Sequence, residues 1–457
     1  MSGCLTPSGR SGWNSRHDPV DARLARGRRA PRRTRAMRGD RNSPVWHPFT
    51  QHALKAVFPT IVHTEGAYLT TAEGNRILDA ISSWWVITHG HRHPRIIAAI
   101  RAQTERLDQV IFADYTHEAA EQLARKLLAL APPGLAHVFF SDSGSTSVEV
   151  ALKMALGFWR HTGMPRNRIV VMEHSYHGDT IGAMSVGARG PFTQAYEPLL
   201  FDVARIPFPT PARESETLDQ LERICRVGDV AALIIEPLVL GAGGMLMYAP
   251  AVLAAMRRIC SDRDVLFIAD EVMTGWGRTG TLFACEQAGI SPDIACYSKG
   301  LTGGVLPLAA TLCRREIFMA HFAEDRRRTF FHSSSFTANP IACAAALANL
   351  EVWETEPVRE RVAALVQLQS EKLDRFRFDG RFENVRQTGT ITAMDLKVSD
   401  RGYLANVGPR LHASFQAAHV LLRPLGSTLY VMPPYCVTPD DLDQVYAAIG
   451  AAVDELT

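Results

Sequence analysis

From about Leu135 onward the chain alternates short, continuously apolar runs with longer stretches of helical periodicity, and this alternation narrows the possible folds more than any other feature. HVFFS (137–141) precedes a helical 146–160 and then RIVVMEH (168–174). AALIIEP (231–237) precedes a helical 250–262, followed by VLFIADEV (265–272) and DIACYSK (293–299). Runs without polar alternation fit strands covered on both faces, and helix-length spacers between them make βαβ units with a parallel sheet. The expected fold class is α/β, with a mostly parallel sheet in a large domain spanning residues 91–350. Ahead of it, IVHTEGAYLTTAEGNRILDA, in the segment 60–80, reads as a hairpin turning at EGN. Beyond about residue 355 a long helix, then TGTITAMDL, LLRPLG and TLYVMPP, suggest an α+β unit. Residues 42–90 and 351–457 are expected to pack together as one small domain built from both chain ends, with the large domain inserted between them.

Composition excludes several classes. Of 457 residues, 46% are hydrophobic and 21% charged, which suits a large buried core rather than a disordered or collagen-like chain. No window approaches the roughly 18 consecutive apolar residues of a membrane span. The net charge of +2 hides a segregation: residues 1–41 carry 11 Arg and three acids, so the remainder is net negative. A nucleic-acid face would need a basic folded body, and this body is mildly acidic. The arm lacks the apolar core of a secretory signal. It reads as a disordered extension, or as an over-long start ahead of Met37; its acids, Pro31 and glycines weaken a transit-peptide reading. Eight cysteines stand without C-x-x-C pairs, several inside apolar runs, as buried thiols do in a reducing, cytoplasmic setting.

In open parallel sheets ligands bind at the carboxyl ends of the strands, so the polar residues that follow each run are the candidates. In FFSDSGSTSVEVALKMAL the helix is expected to begin near Ser145–Thr146. Gly144 and the hydroxyl residues beside it make either an anion site or a plain N-cap. In VLFIADEV, Asp270 and Glu271 close a strongly apolar run. A buried carboxylate needs a partner, so one of them lies at a site rim with a cation, or forms a cap or an ion pair with an Arg such as Arg278. Lys299 follows an apolar run and precedes GLTGG; a partly desolvated Lys has a lowered pKa and becomes a nucleophile toward carbonyls. MEHSYHGDT puts Tyr176 and His177 on a loop after a strand, as a stacking lid or a packed surface ring. A phosphate cup, an aromatic platform, an acid and an amine together match the needs of pyridoxal 5'-phosphate (PLP).

The ordered segments SDSGSTSVEVALKMA, SYHGDT, IIEPLVLGAGG, IADEVMTGWGRTG and SKGLTGG resemble the class III aminotransferases of PLP fold-type I, over roughly residues 45–450. WHPFT (46–50), SSWW (82–85) with the following HGHRHP, and RPLGSTLYVMPPY (423–435) resemble the branch that transaminates 8-amino-7-oxononanoate in biotin biosynthesis, with S-adenosylmethionine as amino donor. The resemblance implies Lys299 as the Schiff-base lysine, Asp270 as partner of the pyridine nitrogen, Gly144 and Ser145 as phosphate ligands, and Tyr176 stacked on the ring. It implies that Ser334 and Ser335, in HSSSFTANP, reach the phosphate from a second subunit of a homodimer, with Ser333 beside the substrate. It further implies Trp84 lining the pocket for a keto acid and amino donor, Arg423 on the substrate carboxylate, and Tyr430 and Arg278 nearby. Two motifs depart from the family pattern: Phe49 stands where WHPYT is usual, and HSSSF replaces HGPTF. An alternative within the family is an ω-amino acid or diamine aminotransferase.

Other chemistries fit less well. GAGGMLM (241–247) has Leu246 where a dinucleotide fingerprint needs glycine. HGHRH (89–93) offers loop histidines to a metal, and HEAAE (117–121) lacks the second His of H-E-x-x-H, so no metal is expected.

Overall fold

The computed structural model describes residues 43–54 and 58–456, in two units that divide between Thr60 and Ile61. The Arg-rich arm lies outside the described residues. In the first unit His52 Nε2 accepts the His47 amide at 3.0 Å, and the His47 ring stacks on Phe58 at 4.0 Å. Phe49 belongs to this unit and is exposed.

The second unit opens with β1 (Ile61–Glu65), β2 (Tyr68–Thr71) and β3 (Arg76–Asp79), antiparallel in sequence order. The expected single hairpin is therefore a three-stranded meander. Its second turn uses Gly74 at φ 89°, as EGN suggested, and its first uses Gly66 at φ 56°; the run from β1 to β2 contains no other turn former. The chain continues through β4 (Leu135–Ser141), β5 (Arg168–Met172), β6 (Ala204–Ile206) and β7 (Val230–Ile235). A small ribbon pairs β8 (Val239–Leu240) with β9 (Leu246–Met247). Then follow β10 (Leu266–Asp270), β11 (Ile294–Tyr297), β12 (Ala309–Arg314), β13 (Phe382–Thr388), β14 (Ile391–Leu396), β15 (Val420–Leu421) and β16 (Thr428–Val431).

The central sheet has seven strands in the order β4-β12-β11-β10-β7-β5-β6. Its pairings are parallel except where β12 runs against β4 and β11. All six residues of β7 and all four of β11 are buried, which is why both read as unbroken apolar runs. At the other end of the chain, β15 pairs in parallel with β3, so the first and last parts of this unit share a four-stranded sheet. One apolar cluster runs from Leu78 through Val170, Leu233 and Phe267 to Met394 and Val431.

The helix Gly144–His161 begins slightly earlier than its apolar spacing indicated. Ser143 accepts the Thr146 amide at 3.2 Å, and Thr146 Oγ1 accepts the Ser143 amide at 2.9 Å, a reciprocal cap that fixes the helix start beside the end of β4. Of the apolar residues at helical spacing, Val148, Leu152, Ala155 and Trp159 are buried on its inner face, whereas Leu156 is exposed.

Candidate active site

Five strand ends converge on one cleft. β10 ends in Asp270, β7 is followed by Glu236, β5 by the Tyr176–Gly178 loop, β11 by Lys299, and β4 by the helix start at Gly144 and Ser145. These residues line the cleft together with Trp85, Val272 and Met273. The sequence-derived set of Lys299, Asp270, Tyr176, Gly144 and Ser145 is thus brought together by the parallel sheet.

The approach of the loop to the helix requires glycine. Gly178 has φ 131°, and a Cβ there would lie 2.1 Å from Ser145 Oγ. A Cβ on Gly144 would lie 2.6 Å from Val272 Cγ1. The cap uses the amide of Thr146, so those of Gly144 and Ser145 remain as donors at a helix N-terminus, the arrangement that suits an anion.

Asp270 has a partner, and it is not Arg278. Its Oδ2 lies 2.7 Å from Nδ1 of buried His177, while Oδ1 accepts the Val272 amide at 3.1 Å. His177 Nε2, on the opposite side of the ring, is buried with no hydrogen-bond partner among the described residues. Glu236 is also buried and accepts the amides of Tyr176 and Gly241, each at 2.9 Å. Burial pushes its carboxyl up to about 7, with Asp270 acting in the same direction and His177 and the two amides opposing. Burial also raises the Tyr176 phenol, reinforced by Asp179.

Lys299 occupies the left-handed region at φ 46°, and its Nζ lies 5.0 Å from the centre of the Trp85 ring. Burial lowers its amine from 10.5 to about 8; Asp270 and Glu236 act against the shift and Arg278 adds to it. The loop after it is locked in place. Asn349 Nδ2 donates to the carbonyls of Gly300 and Leu301 at 3.1 and 3.0 Å, and a Cβ on Gly304 would lie 2.4 Å from the Val86 carbonyl oxygen.

The remaining sequence-derived residues are placed differently. The Arg423 guanidinium carbon sits 5.2 Å from the centre of the exposed Trp84 ring. Tyr430 is buried, and its hydroxyl accepts the Trp85 indole N–H at 3.0 Å. Arg278 is fully enclosed and donates to the carbonyls of Ile87 at 2.7 Å and Pro433 at 3.0 Å, so it braces two chain segments and does not line the cleft. Burial lowers its pKa. Glu271 points away from the cleft and accepts the amides of Ala284 and Cys285 at 3.0 and 2.9 Å, a structural cap. Ser333, Ser334 and Ser335 do not line the Lys299 cleft of their own chain. Ser334 Oγ accepts the Phe336 amide at 3.1 Å, and the Ser335 carbonyl accepts Gln109 Nε2 at 2.7 Å.

The three histidines of HGHRH do not share a ligand. His89 Nε2 meets Asn349 Oδ1 at 2.9 Å, His91 Nε2 meets Asp79 Oδ2 at 2.9 Å, and His93 Nε2 meets Glu356 at 3.1 Å. Burial lowers His89 to about 3, and this neutral ring supports the asparagine that holds the loop after Lys299.

Glu236 has no role in the sequence reading, although it follows an apolar strand and obeys the rule that marks Asp270, and His177 stands there only as a loop ring beside Tyr176. Trp85 was overshadowed by its neighbour Trp84.

Residues 50–453 match the family model for class III aminotransferases. The chain is 46% identical over 422 residues to the adenosylmethionine-8-amino-7-oxononanoate aminotransferase of Synechococcus elongatus, covering 90% of this chain and 99% of that protein. It is 40% identical to the enzyme of the same name from Geobacter sulfurreducens, covering 90% and 96%. Among solved structures, the adenosylmethionine-8-amino-7-oxononanoate aminotransferase of Methanocaldococcus jannaschii superposes with a TM-score of 0.86 at 33% identity, covering 90% of this chain and 97% of that one. An amine transaminase from an uncultivated Pseudomonas species, in its PLP-bound form, gives a TM-score of 0.84 at 32% identity, with 90% and 98% covered. With its parallel sheet, its strand-end cleft and its matching family model, the chain belongs to the class III aminotransferases, which are PLP-dependent enzymes.

Proposed function

We propose that this enzyme transfers the amino group of S-adenosylmethionine to the keto carbon of 8-amino-7-oxononanoate. The product is 7,8-diaminononanoate, in biotin biosynthesis, and the donor's α-carbon is left as a ketone. One observation beyond the relatives' names carries the substrate assignment. Adjacent tryptophans present their rings to two cations: Trp85 to the Lys299 amine at 5.0 Å and Trp84 to the Arg423 guanidinium at 5.2 Å. A substrate with a reactive carbonyl at one end of an apolar chain and a carboxylate at the other matches an amine, indole walls and a guanidinium in that order. Arg423 grips the carboxylate with two charge-assisted hydrogen bonds, and Tyr430 holds the Trp85 wall through its hydroxyl.

The residues of the cleft suit PLP. The glycine-lined helix start supplies donors for a phosphate, Tyr176 a ring to stack on, and Lys299 an amine for the aldehyde. Asp270, oriented by His177, supplies a carboxylate for the pyridine nitrogen. When bound, PLP supplies the electron sink that stabilises negative charge at the substrate α-carbon. The protein's part is to orient the reactants and move the proton. The Lys299 amine, near 8, is poised for this task because both of its protonation states are accessible close to neutral pH. Ser334 and Ser335 are assigned to the phosphate of a second copy, and Ser333 to that copy's substrate, in a homodimer. The exposed rings of Phe331 and Phe336 on either side of this serine run support an interface there. Among the described residues no helix is long and apolar enough to cross a membrane. The buried free thiols of Cys225, Cys260, Cys285, Cys296, Cys313 and Cys343 support a reducing, cytoplasmic setting.

Stopped-flow measurement of the two half-reactions tests the assignment. S-adenosylmethionine should bleach the visible band of the bound cofactor, and 8-amino-7-oxononanoate should restore it. Bleaching by lysine alone would move the donor, and bleaching only by ω-amines would favour the amine and ω-transaminase branch. In Arg423→Ala the keto acid half-reaction should weaken by roughly thirty- to a thousandfold, from about 2–4 kcal/mol of lost charged hydrogen bonding. The donor half should be nearly unchanged. Equal damage to both halves would remove Arg423 from its role.

A further inference from the structure

The turn that carries the two tryptophans is built in an unusual way. Ser82, Ser83 and Trp85 have φ of 55°, 61° and 65°, with no glycine among them. Side-chain-bearing residues populate this region sparsely, so a run of three is retained only where neighbours dictate it. The consequence is local and specific: two consecutive rings face different cations instead of stacking on one side.

Asp79, at the end of β3, is fully buried directly beneath this turn. Its Oδ1 accepts the Ile81 amide at 3.2 Å, and its Oδ2 accepts the Ser83 amide at 2.6 Å, so the carboxylate brackets Ser82 from both sides. His91 Nε2 completes the cluster, 2.9 Å from Oδ2. His91 is itself fixed by paired backbone hydrogen bonds with Gly66, at 2.7 and 3.2 Å. On the far side, Ser82 Oγ donates to the Met432 carbonyl at 2.8 Å. Asp79 does not line the cleft.

We propose that Asp79, braced by His91, is a positioning residue for the keto acid: it holds the Ile81–Trp85 turn in the conformation that sets Trp84 against Arg423. This rests on the substrate reading above. Trp85 has a second anchor in the Tyr430 hydroxyl, so loss of Asp79 falls mainly on Trp84. The donor half-reaction, centred on Lys299, changes little.

A double-mutant cycle on the holoenzyme decides it, because residues that act through one another are non-additive. The dissociation constant of 8-amino-7-oxononanoate is measured for wild type, Asp79→Asn, Trp84→Ala and the double variant. An asparagine cannot accept both amides and the imidazole, so Asp79→Asn should weaken keto acid binding at least tenfold. In the Trp84→Ala background the same change should cost less than twofold, and Asp79→Asn alone should leave the donor half-reaction within threefold of the wild type. An equal factor in both backgrounds, or a lowered melting temperature with unchanged affinity, would overturn the proposal. Should Asp79→Asn fail to fold, His91→Leu replaces it in the same cycle, with a smaller but equally non-additive effect expected. Should the wild type not bind 8-amino-7-oxononanoate, the substrate reading fails by itself. The cycle is then run with the keto acid that the wild type turns over, and its outcome stands on that ligand.

Discussion

Replacing Lys299 by methionine should make the cofactor-stripped protein more stable. The amine is held at about 8 in the folded chain against an ordinary 10.5, because burial disfavours its charge more than Asp270 and Glu236 restore it. Each tenfold loss of proton affinity is worth about 1.4 kcal/mol, so keeping this amine protonated costs folding about 3 kcal/mol at neutral pH. Below pH 8 the amine is charged in both the folded and unfolded states, and the full cost applies. Between 8 and 10.5 the folded protein has released the proton while the unfolded chain keeps it, so the cost shrinks; above 10.5 it is gone. Methionine fills similar space without a charge and escapes the cost at every pH. A unit of about 400 residues unfolds with an entropy of roughly 0.8 kcal/mol/K, so the gap amounts to about 4 °C in melting temperature. Calorimetry on both proteins, freed of PLP, should show the variant melting about 4 °C higher at pH 7 and about 1 °C higher at pH 10. A variant that melts lower at pH 7, or a gap that ignores pH, would refute the claim that burial dominates at Lys299.

Asp270→Asn should lower turnover by about 10²–10³-fold, the range for loss of one preorganised electrostatic group, while the melting temperature stays near that of the wild type; a collapse in stability with intact specific activity would make Asp270 a structural residue. Gly178→Ala forces a Cβ to within 2.1 Å of Ser145 Oγ; equilibrium dialysis should show at least a tenfold loss of PLP affinity, and unchanged affinity would show that the loop does not help to build the cofactor site. Asn349→Ala leaves the carbonyls of Gly300 and Leu301 and the ring of His89 without their partner, a loss of about 2–4 kcal/mol that thermal unfolding should register, with visible-band absorbance reporting any displacement of Lys299.

The candidate site was legible in the sequence to the extent that one geometric rule governs it. Apolar runs of the β7 and β10 type declare themselves as strands buried on both faces, and the residue that ends such a strand lies at the ligand-binding edge. That rule found Asp270 and Lys299, and it applied equally to Glu236, whose motif IIEP was read as a family marker without a role. The direction of β12 is not legible, because a strand buried almost throughout gives the same apolar run whether it is parallel or antiparallel. Arg278 shows the limit of charge reasoning. Its charge fits an ion pair with Asp270 or a place near the substrate, but its guanidinium donates to the carbonyls of Ile87 and Pro433, groups far away in sequence. The left-handed turn at Ser82–Trp85 had no signal at all, since no glycine or asparagine marks it.

The histidine-rich segment HGHRH, which offers its rings to no metal, braces two walls of the cleft instead. HGHRH follows the tryptophan turn directly, and its first and third residues are committed to opposite walls of the site. His91 braces Asp79 under the tryptophans, and His89 braces Asn349 under the loop that carries Lys299. Between these walls the Thr88 amide donates to the Gly303 carbonyl at 3.4 Å, and the Tyr435 amide donates to the Thr88 carbonyl at 2.7 Å, tying the segment to the lysine loop and to the chain after β16. A transaminase must keep its lysine and the walls of its cleft in register through two half-reactions with different substrates. Here the residues that brace those walls are buried imidazoles, an amide and a carboxylate outside the lining of the cleft. A search for reactive side chains therefore passes over them, and the hydrogen-bond partners identify them.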